Sequence, residues 1–462
     1  MPTPSLLIVP SRWKTGSPGK LYSQIPTNGN GDFNVTGVVT GGTSIGTRVN
    51  NIGYIEPITT SGTPRLDYYT SSGTPGCPAL LVEPAATNLA FYSEQFDDAY
   101  WSKSRVNTSS WANQEIAPNN TLTAEKLTQA SGETQAGVVF RSLTVSSGQV
   151  HTFSVFVKKG SRDFVALFSN LTGPTLGAYF DINNGTVGTI SAGYSAKIEN
   201  YGNGWFRCSV TATSNSTSHI FFIYGVSANN TFTVPDDGGF QFIWGAQVET
   251  GSVATSYIPT TTAAVTRNAD VVSVSGAVSG SIGQTEGTIY AEVDVRTLGA
   301  AKNILQIDNG TATNRIGLFV DISPTRLTFL MSSAGVTNSL SGTVATGVIK
   351  IAASYSSGNV QVFTNGSFLV SGTIATYPIV ALNAISVGSR ISSGVYGVFL
   401  NDRIRATALY TTRLSDADLM LLTMPGNNTY LPQAIWNNYL SRTGNSEVPD
   451  CLYTRHADLL DV

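Results

Sequence analysis

The chain has 462 residues, 41% of them hydrophobic and only 12% charged, with a formal net charge of −3. That length exceeds one ordinary core, so several domains are expected. The charge balance gives no electrostatic case for nucleic acid or an anionic membrane, and no run approaches the apolar length of a membrane-spanning helix, so neither partner is expected.

The polar load rests on Ser, Thr, Asn and 46 glycines. That composition favours strands and tight turns over helices. The opening Met-Pro-Thr-Pro-Ser-Leu-Leu-Ile-Val-Pro lacks a basic n-region, and its apolar run is too short for a secretion signal, so synthesis in the cytoplasm without a signal peptide is expected. Cys77, Cys208 and Cys451 are widely spaced with no CxxC pattern, and are read as free thiols. His151, His219 and His456 are far apart, which argues against a histidine metal site or triad.

Residues 1–85 are dense in Gly, Pro, Thr and Asn and show little periodicity. They read as short strands and extended loops that form no large core alone, a leader that packs on the next domain or docks on a neighbouring subunit. Residues 86–262 hold regular short strand-like runs. Among them are Thr152 to Lys158, Phe164 to Phe168, Trp205 to Thr211 and Phe240 to Trp244, punctuated by turn signals such as Asn184-Gly185 and Asn203-Gly204. This is the pattern of a sandwich or barrel.

Residues 263–283 carry few large anchors and read as a linker with one strand, Asp270 to Ser275. Residues 284–425 open with the clean alternation of Glu286 to Val295 and continue through further strands, with Asn365-Gly366 as a hairpin turn. Ser415, with Asp418 three residues on, opens one short helix in the manner of a capping box. Residues 426–462, with Gln433 to Leu440 as one or two helical turns, form a C-terminal tail that needs a docking partner to be ordered.

The stretch Phe240-Gln241-Phe242-Ile243-Trp244, followed by Glu249-Thr250-Gly251 and Tyr257-Ile258-Pro259, resembles the last strand and exit of jelly-roll, carbohydrate-binding-like modules of bacteriophage tail and appendage proteins. Phe91 to Phe96 with Trp101-Ser102-Lys103, and Gly204-Trp205-Phe206-Arg207, resemble other strands of that module. The second domain, ending in Leu409-Tyr410 and its short helix, resembles the concanavalin A-like (laminin-G-like) lectin sandwich.

The fold class expected is therefore all-β. Two tandem antiparallel sandwiches, a jelly roll and then a concanavalin-like one, are preceded by an irregular segment and followed by a tail. The resemblance implies a virion-surface structural protein, such as a tail fibre, head fibre or capsid decoration, that binds host-surface glycans. It also implies contacts with other virion proteins and a homo-oligomer, with a trimer usual for fibres. The alternative is a connector or cement protein of the capsid or tail that binds no sugar.

No enzyme is expected. Concanavalin-like glycoside hydrolases carry a strand Glu-x-Asp-x-x-Glu, and Glu292-Val293-Asp294 matches its first half, but Thr297 stands where the second carboxyl belongs. No cofactor is called for. Asp236-Asp237-Gly238, and Asp181 with Asn183 and Asn184, offer hard oxygen ligands to a structural calcium, but turn roles explain them equally. For sugar, flat aromatic faces and polar loops are the residues to seek. Trp205 and Trp244 lie in alternating strands and are expected in the core. The tentative glycan-binding set is Trp111, Trp101 and Tyr201 in the first sandwich, and Asn401, Asp402 and Arg403 in the second.

Overall fold

The computed structural model describes residues 2–10, 20–36, 46–60, 62–296, 301–321, 326–356, 359–374, 380–392 and 395–426. The protein is all-β: four large antiparallel sheets form two sandwiches, with one α-helix, Asp416–Thr423, among the described residues. Cys451, His456 and Thr297 lie outside the described residues, as does the tail from 427 on.

The smaller sandwich is built on eight long strands: β1 (Leu122–Thr128), β2 (Gly137–Thr144), β3 (Val150–Lys159), β4 (Phe164–Ser169), β5 (Leu176–Asp181), β6 (Trp205–Thr213), β7 (Ser218–Val226) and β8 (Phe240–Thr250). One sheet runs β1-β8-β3-β6 and is extended beside β6 by the eight-residue edge strand Ser195–Gly202; the other runs β5-β4-β7-β2, and short strands are added at the remaining edges. Successive strands mostly alternate between the sheets, which is the jelly-roll connection. Inward side chains such as Phe153, Val155, Val165, Leu167, Cys208, Phe221, Ile223 and Ile243 fill the space between them. Asn203-Gly204, with φ of 52° and 79°, makes the tight turn into β6 that the sequence signalled.

The larger sandwich does not begin at residue 284. Its first sheet has Glu286–Val295 between Gly347–Ser356 and Asp402–Tyr410, and the far edge of Asp402–Tyr410 is completed by Leu6–Ile8 and Ala79–Val82. In its second sheet Val271–Ser275 lies between Phe33–Thr36 and Ala384–Val387. Leu6, Ile8, Leu21, Phe33, Val35, Leu80 and Val82 are buried in the same core as Ile289, Val293, Leu305 and Ile404. The leader and linker are thus structural parts of this sandwich, and the smaller sandwich is an insertion within it. Its neck is a two-stranded ladder, Ala86–Asn88 against Val265–Arg267.

The leader also reaches back onto the smaller sandwich, where Ile55 packs with Phe156, Trp205, Trp244 and Tyr257. Trp205 and Trp244 are buried, as their strand positions predict.

The helix starts as expected: the Ser415 hydroxyl oxygen accepts the Asp418 N–H at 3.2 Å. Its Leu419 and Leu422 close over Tyr290, Ala352 and Phe363 on the outer face of the first sheet.

The exit from β8 is held by its own polar residues. The Gln247 side-chain oxygen accepts the Ile258 N–H at 2.8 Å, Glu249 accepts the Thr255 N–H and hydroxyl at 2.9 and 2.8 Å, and Asn88 donates to the Ala246 and Ile258 carbonyls. The Ser256 N–H and hydroxyl donate to Glu83 at 2.8 and 2.7 Å, tying this exit to the neck.

Below that contact lies a buried ion cluster. Arg65 pairs with Glu83 at 2.7 Å and with Asp270, and Arg267 lies 3.4 Å from Glu83. Each of these side chains is no more than 3% exposed. Four charged residues in a chain poor in charge are therefore spent where leader, exit and linker meet.

Candidate functional site

The sequence offered six candidate residues, and the structure does not gather them into one site. Trp101 and Trp111 are 2% and 3% exposed and belong to the core of the smaller sandwich. Trp101 packs against Phe96 at 4.9 Å between ring centroids and donates its indole N–H to the Tyr92 carbonyl at 3.0 Å. Neither ring offers a face to a sugar. The Trp111 ring is turned inward, which corrects the expectation of a glycan-binding platform there. Tyr201 is half-buried between Tyr69 and Phe156, at 5.0 and 4.9 Å.

The other three meet at the seam between the sandwiches. Arg403 is buried, ion-paired with Asp67 and stacked over the Tyr69 ring at 4.5 Å, so it holds the leader and is not a loop residue open to ligand. With Tyr201, Arg207 and Arg296 it lines a small cavity of about 20 Å³, room for about one water molecule. Asp402 is 1% exposed and also corrects the expectation of an open polar loop: one carboxylate oxygen takes Lys302 Nζ at 2.5 Å and the other Arg296 Nε at 3.2 Å. Asn401, with φ of 53°, is half-buried at the mouth of a cleft.

That cleft is the candidate site. It holds about 500 Å³ and is lined by Ser195, Lys197, Glu199 and Ser209 from the inserted sandwich, and by Arg296, Thr346, Asn401 and Asp402 from the larger one. Lys197 and Glu199 are two apart on the edge strand Ser195–Gly202, and so share one face.

A chain of charge crosses the seam. Lys197 Nζ lies 2.9 Å from Glu199, Arg296 Nη1 is 3.4 Å from the same carboxylate oxygen, and Arg296 Nε continues to Asp402. Burial alone would raise the Glu199 pKa, but Lys197 and then Arg296 overcome it and bring it down to about 2. Arg296 is likewise held charged: burial opposes its charge, and Glu199 and Asp402 outweigh burial. Burial lowers the Lys302 pKa, with Asp402 acting in the opposite direction. Arg296 bonds through its backbone N–H, Nε and Nη1 among the described residues, and Lys197 is 39% exposed. Both residues line the cleft.

Lys197, Glu199 and Arg296 were not singled out from sequence. The one available signal was their rarity: charges two apart on a strand of a chain that is 12% charged.

The other candidate chemistries resolve into structure. Glu292 is 4% exposed, in register across from Lys350, with the Tyr290 hydroxyl 3.5 Å away. Asp181 accepts the N–H groups of Asn183 and Asn184 and the Asn184 amide. Asp237 accepts from Arg162 and the Gly239 N–H, both at 2.8 Å, and Asp236 accepts the Gly132 N–H. These carboxylates close their own turns, and among the described residues no group of three His, Cys, Asp or Glu side chains is placed to hold a metal ion. Cys208 is a free thiol and fully buried. No described helix is long and apolar enough to cross a membrane.

Fold and site together define an all-β protein of two antiparallel sandwiches, one inserted in the other, with a polar cleft at their seam. No protein family and no curated protein matches the chain. Among solved structures it is similar to the CBM40 of the Ruminococcus gnavus IT-sialidase, at 16% identity and a TM-score of 0.29, over 32% of this chain and 87% of that one. A mutant of the NanB sialidase from Streptococcus pneumoniae is similar at 14% identity and 0.29, over 33% and 27% of the two chains. The SAP-like pentraxin from Limulus polyphemus is similar at 13% and 0.25, over 32% and 72%. Scores this low carry no functional argument.

Proposed function

We propose that this chain is a surface protein of a bacteriophage virion, a tail fibre, head fibre or capsid decoration, that binds host-surface glycans at the seam cleft and catalyses no reaction. The observation that carries the binding part is the cleft itself. Its volume is in the range of small-molecule sites. Its walls alternate hydroxyls with fixed charges, and Arg296 and Lys197 are its cationic donors for the hydroxyl pairs of a sugar ring. It lacks the aromatic platform expected from the sequence, so each site is expected to be weak. Repetition on a particle, within a homo-oligomer such as a trimer and anchored to other virion proteins, converts weak contacts to useful avidity. The sequence resemblance of residues 240–259 to phage appendage modules is what supports the virion setting.

The test is binding of fluorescently labelled protein to intact host cells, with and without periodate oxidation of their surface glycans, beside the variant Lys197→Ala. Binding that falls both on periodate treatment and in the variant is the expected result. A folded protein that binds no cells, or binds equally after oxidation, favours the connector or cement reading.

A further inference from the structure

The small cavity beside Arg403 is lined by four guanidiniums, those of Arg48, Arg207, Arg296 and Arg403, and by two carboxylates, Asp67 and Glu83. Most of these charges are matched. Arg48 pairs with Glu56 at 2.7 Å, Arg296 with Glu199 and Asp402, and Arg403 with Asp67. Glu83 takes Arg65 and Arg267, and Asp67 also accepts the Val49 N–H at 2.7 Å.

Two groups are left over. Arg207 is 1% exposed and makes no ion pair among the described residues. Its guanidinium donates to neutral oxygens, the Ser154 hydroxyl at 3.2 and 3.0 Å and the Thr255 carbonyl, and lies 5.2 Å from the Phe156 ring centroid. Glu199 and Glu249 sense its charge only from beyond ion-pair distance, and burial raises the Glu249 pKa with Arg207 acting against it. Arg403 is 4% exposed, and its Nη1 is buried with no hydrogen-bond partner.

A buried cation without a counter-charge is costly, and so is a buried donor without an acceptor. One occupant that accepts hydrogen bonds and carries a single negative charge relieves both. The cavity holds about 20 Å³, against the roughly 10–15 Å³ that one water needs. It therefore admits one water-sized occupant and excludes a carboxylate, phosphate or sulfate group. A water would accept the orphaned N–H but leave the Arg207 charge uncompensated.

We propose that the cavity binds one monatomic anion, a halide such as chloride, between Arg207 and Arg403. Arg207 lies on Trp205–Thr213 of the inserted sandwich and Arg403 on Asp402–Tyr410 of the larger one. The ion thus bridges the two bodies at their seam, where Arg403 already holds Asp67 of the leader. This role is structural and does not depend on what the neighbouring cleft takes.

Two measurements on the full-length protein test this. Urea unfolding is followed at constant pH and ionic strength while gluconate, too large for the cavity, is exchanged for chloride. Above the dissociation constant, each tenfold rise in an ion bound only by the folded state multiplies the folding equilibrium by about ten. The wild-type midpoint should therefore climb with chloride, and that of Arg207→Met should not. Crystals of the wild-type protein grown in bromide give a reading that needs no variant: an anomalous peak is expected in the cavity, between Arg207 and Arg403. A cavity without bromide would overturn the proposal. So would a midpoint that climbs equally in both proteins, which is a general salt effect. A bromide peak with a wild-type midpoint indifferent to chloride would mark an adventitious ion only, and would overturn it too.

Discussion

Replacing Arg65 with Met tests whether the buried ion cluster holds leader, exit and linker together. The substitution keeps much of the apolar volume and removes the guanidinium. Lost with it are the bonds to Asp270, the 2.7 Å contact with Glu83, the 2.7 Å bond to the Ser256 hydroxyl and the 3.1 Å bond to the Thr47 carbonyl. Glu83 and Asp270 are then left with Arg267, at 3.4 and 3.9 Å, as their remaining cation. Removing one partner of a buried pair costs about 3–5 kcal/mol, because the other charge stays desolvated. On a guanidinium slope of roughly 4 kcal/mol per molar, the midpoint falls by about 1 M.

The chain holds two sandwiches, so two probes are needed. Of the six tryptophans, Trp101, Trp111, Trp205 and Trp244 lie in the inserted one and Trp13 and Trp436 fall outside the described residues, so fluorescence reports mainly on the insert, whereas far-ultraviolet circular dichroism sees both sandwiches. The dichroism transition is expected to move more than the fluorescence transition. A dichroism shift under about 0.25 M, near 1 kcal/mol on that slope, would refute the reasoning.

Acid provides a second reading of the same variant. Burial would raise the Glu83 pKa, yet Arg65 and then Arg267 hold it well below its ordinary 4.5. A depressed carboxylate contributes stability that is present above its unfolded pKa and lost as pH falls through the folded value. Without Arg65 the folded value rises, so the variant should lose stability at a higher pH than wild type.

Trp111→Ala should cost about 3–5 kcal/mol in thermal or denaturant unfolding. Trp111→Phe should cost far less, because the indole N–H has no partner among the described residues. Gly366→Ala should cost about 1–2 kcal/mol, read in the same assay, since Gly366 sits at a φ of 78°. Glu125 is pushed up to about 9 by burial and by Asp97 beside it, against the N–H groups of Asp97 and Phe96. The folded state then holds a proton that the unfolded state releases above pH 4.5, so stability should fall as pH rises from there towards 9, and Glu125→Gln should flatten that slope in melting curves.

What the sequence made legible was local. Period-two runs marked the strands, Asn203-Gly204 and Asn365-Gly366 marked tight turns, and Ser415 with Asp418 marked the helix start, because each depends on residues a few positions apart. The leader was misjudged for the opposite reason. Leu6–Ile8 is too short to announce a strand, and its partner Thr407–Leu409 lies some 400 residues on. Arg65 and Asp270 are separated by 205 positions, and Asp67 and Arg403 by 336. No periodicity reports such pairs. Trp111 failed differently: polar neighbours describe a loop's surface, but the ring's own burial is decided by the sheet beneath it.

The insertion explains why the cleft lies at the seam. A sandwich interrupted between Ala79–Val82 and Val271–Ser275 is joined to its insert by a two-stranded neck, which by itself is a weak constraint on orientation. The charges that cross the seam supply the rest: Glu199 comes from the insert and Arg296 from the host sandwich, while Arg403 ties Asp67 of the leader beside them. The same Arg296 that fixes the two bodies also lines the cleft. Arg296→Met should therefore loosen the seam and weaken ligand binding together, whereas Lys197→Ala, which removes an exposed end of the charge chain, should weaken binding alone. Finding the two effects separated in Arg296→Met, with a loose seam and undiminished binding, would place the ligand elsewhere on the molecule.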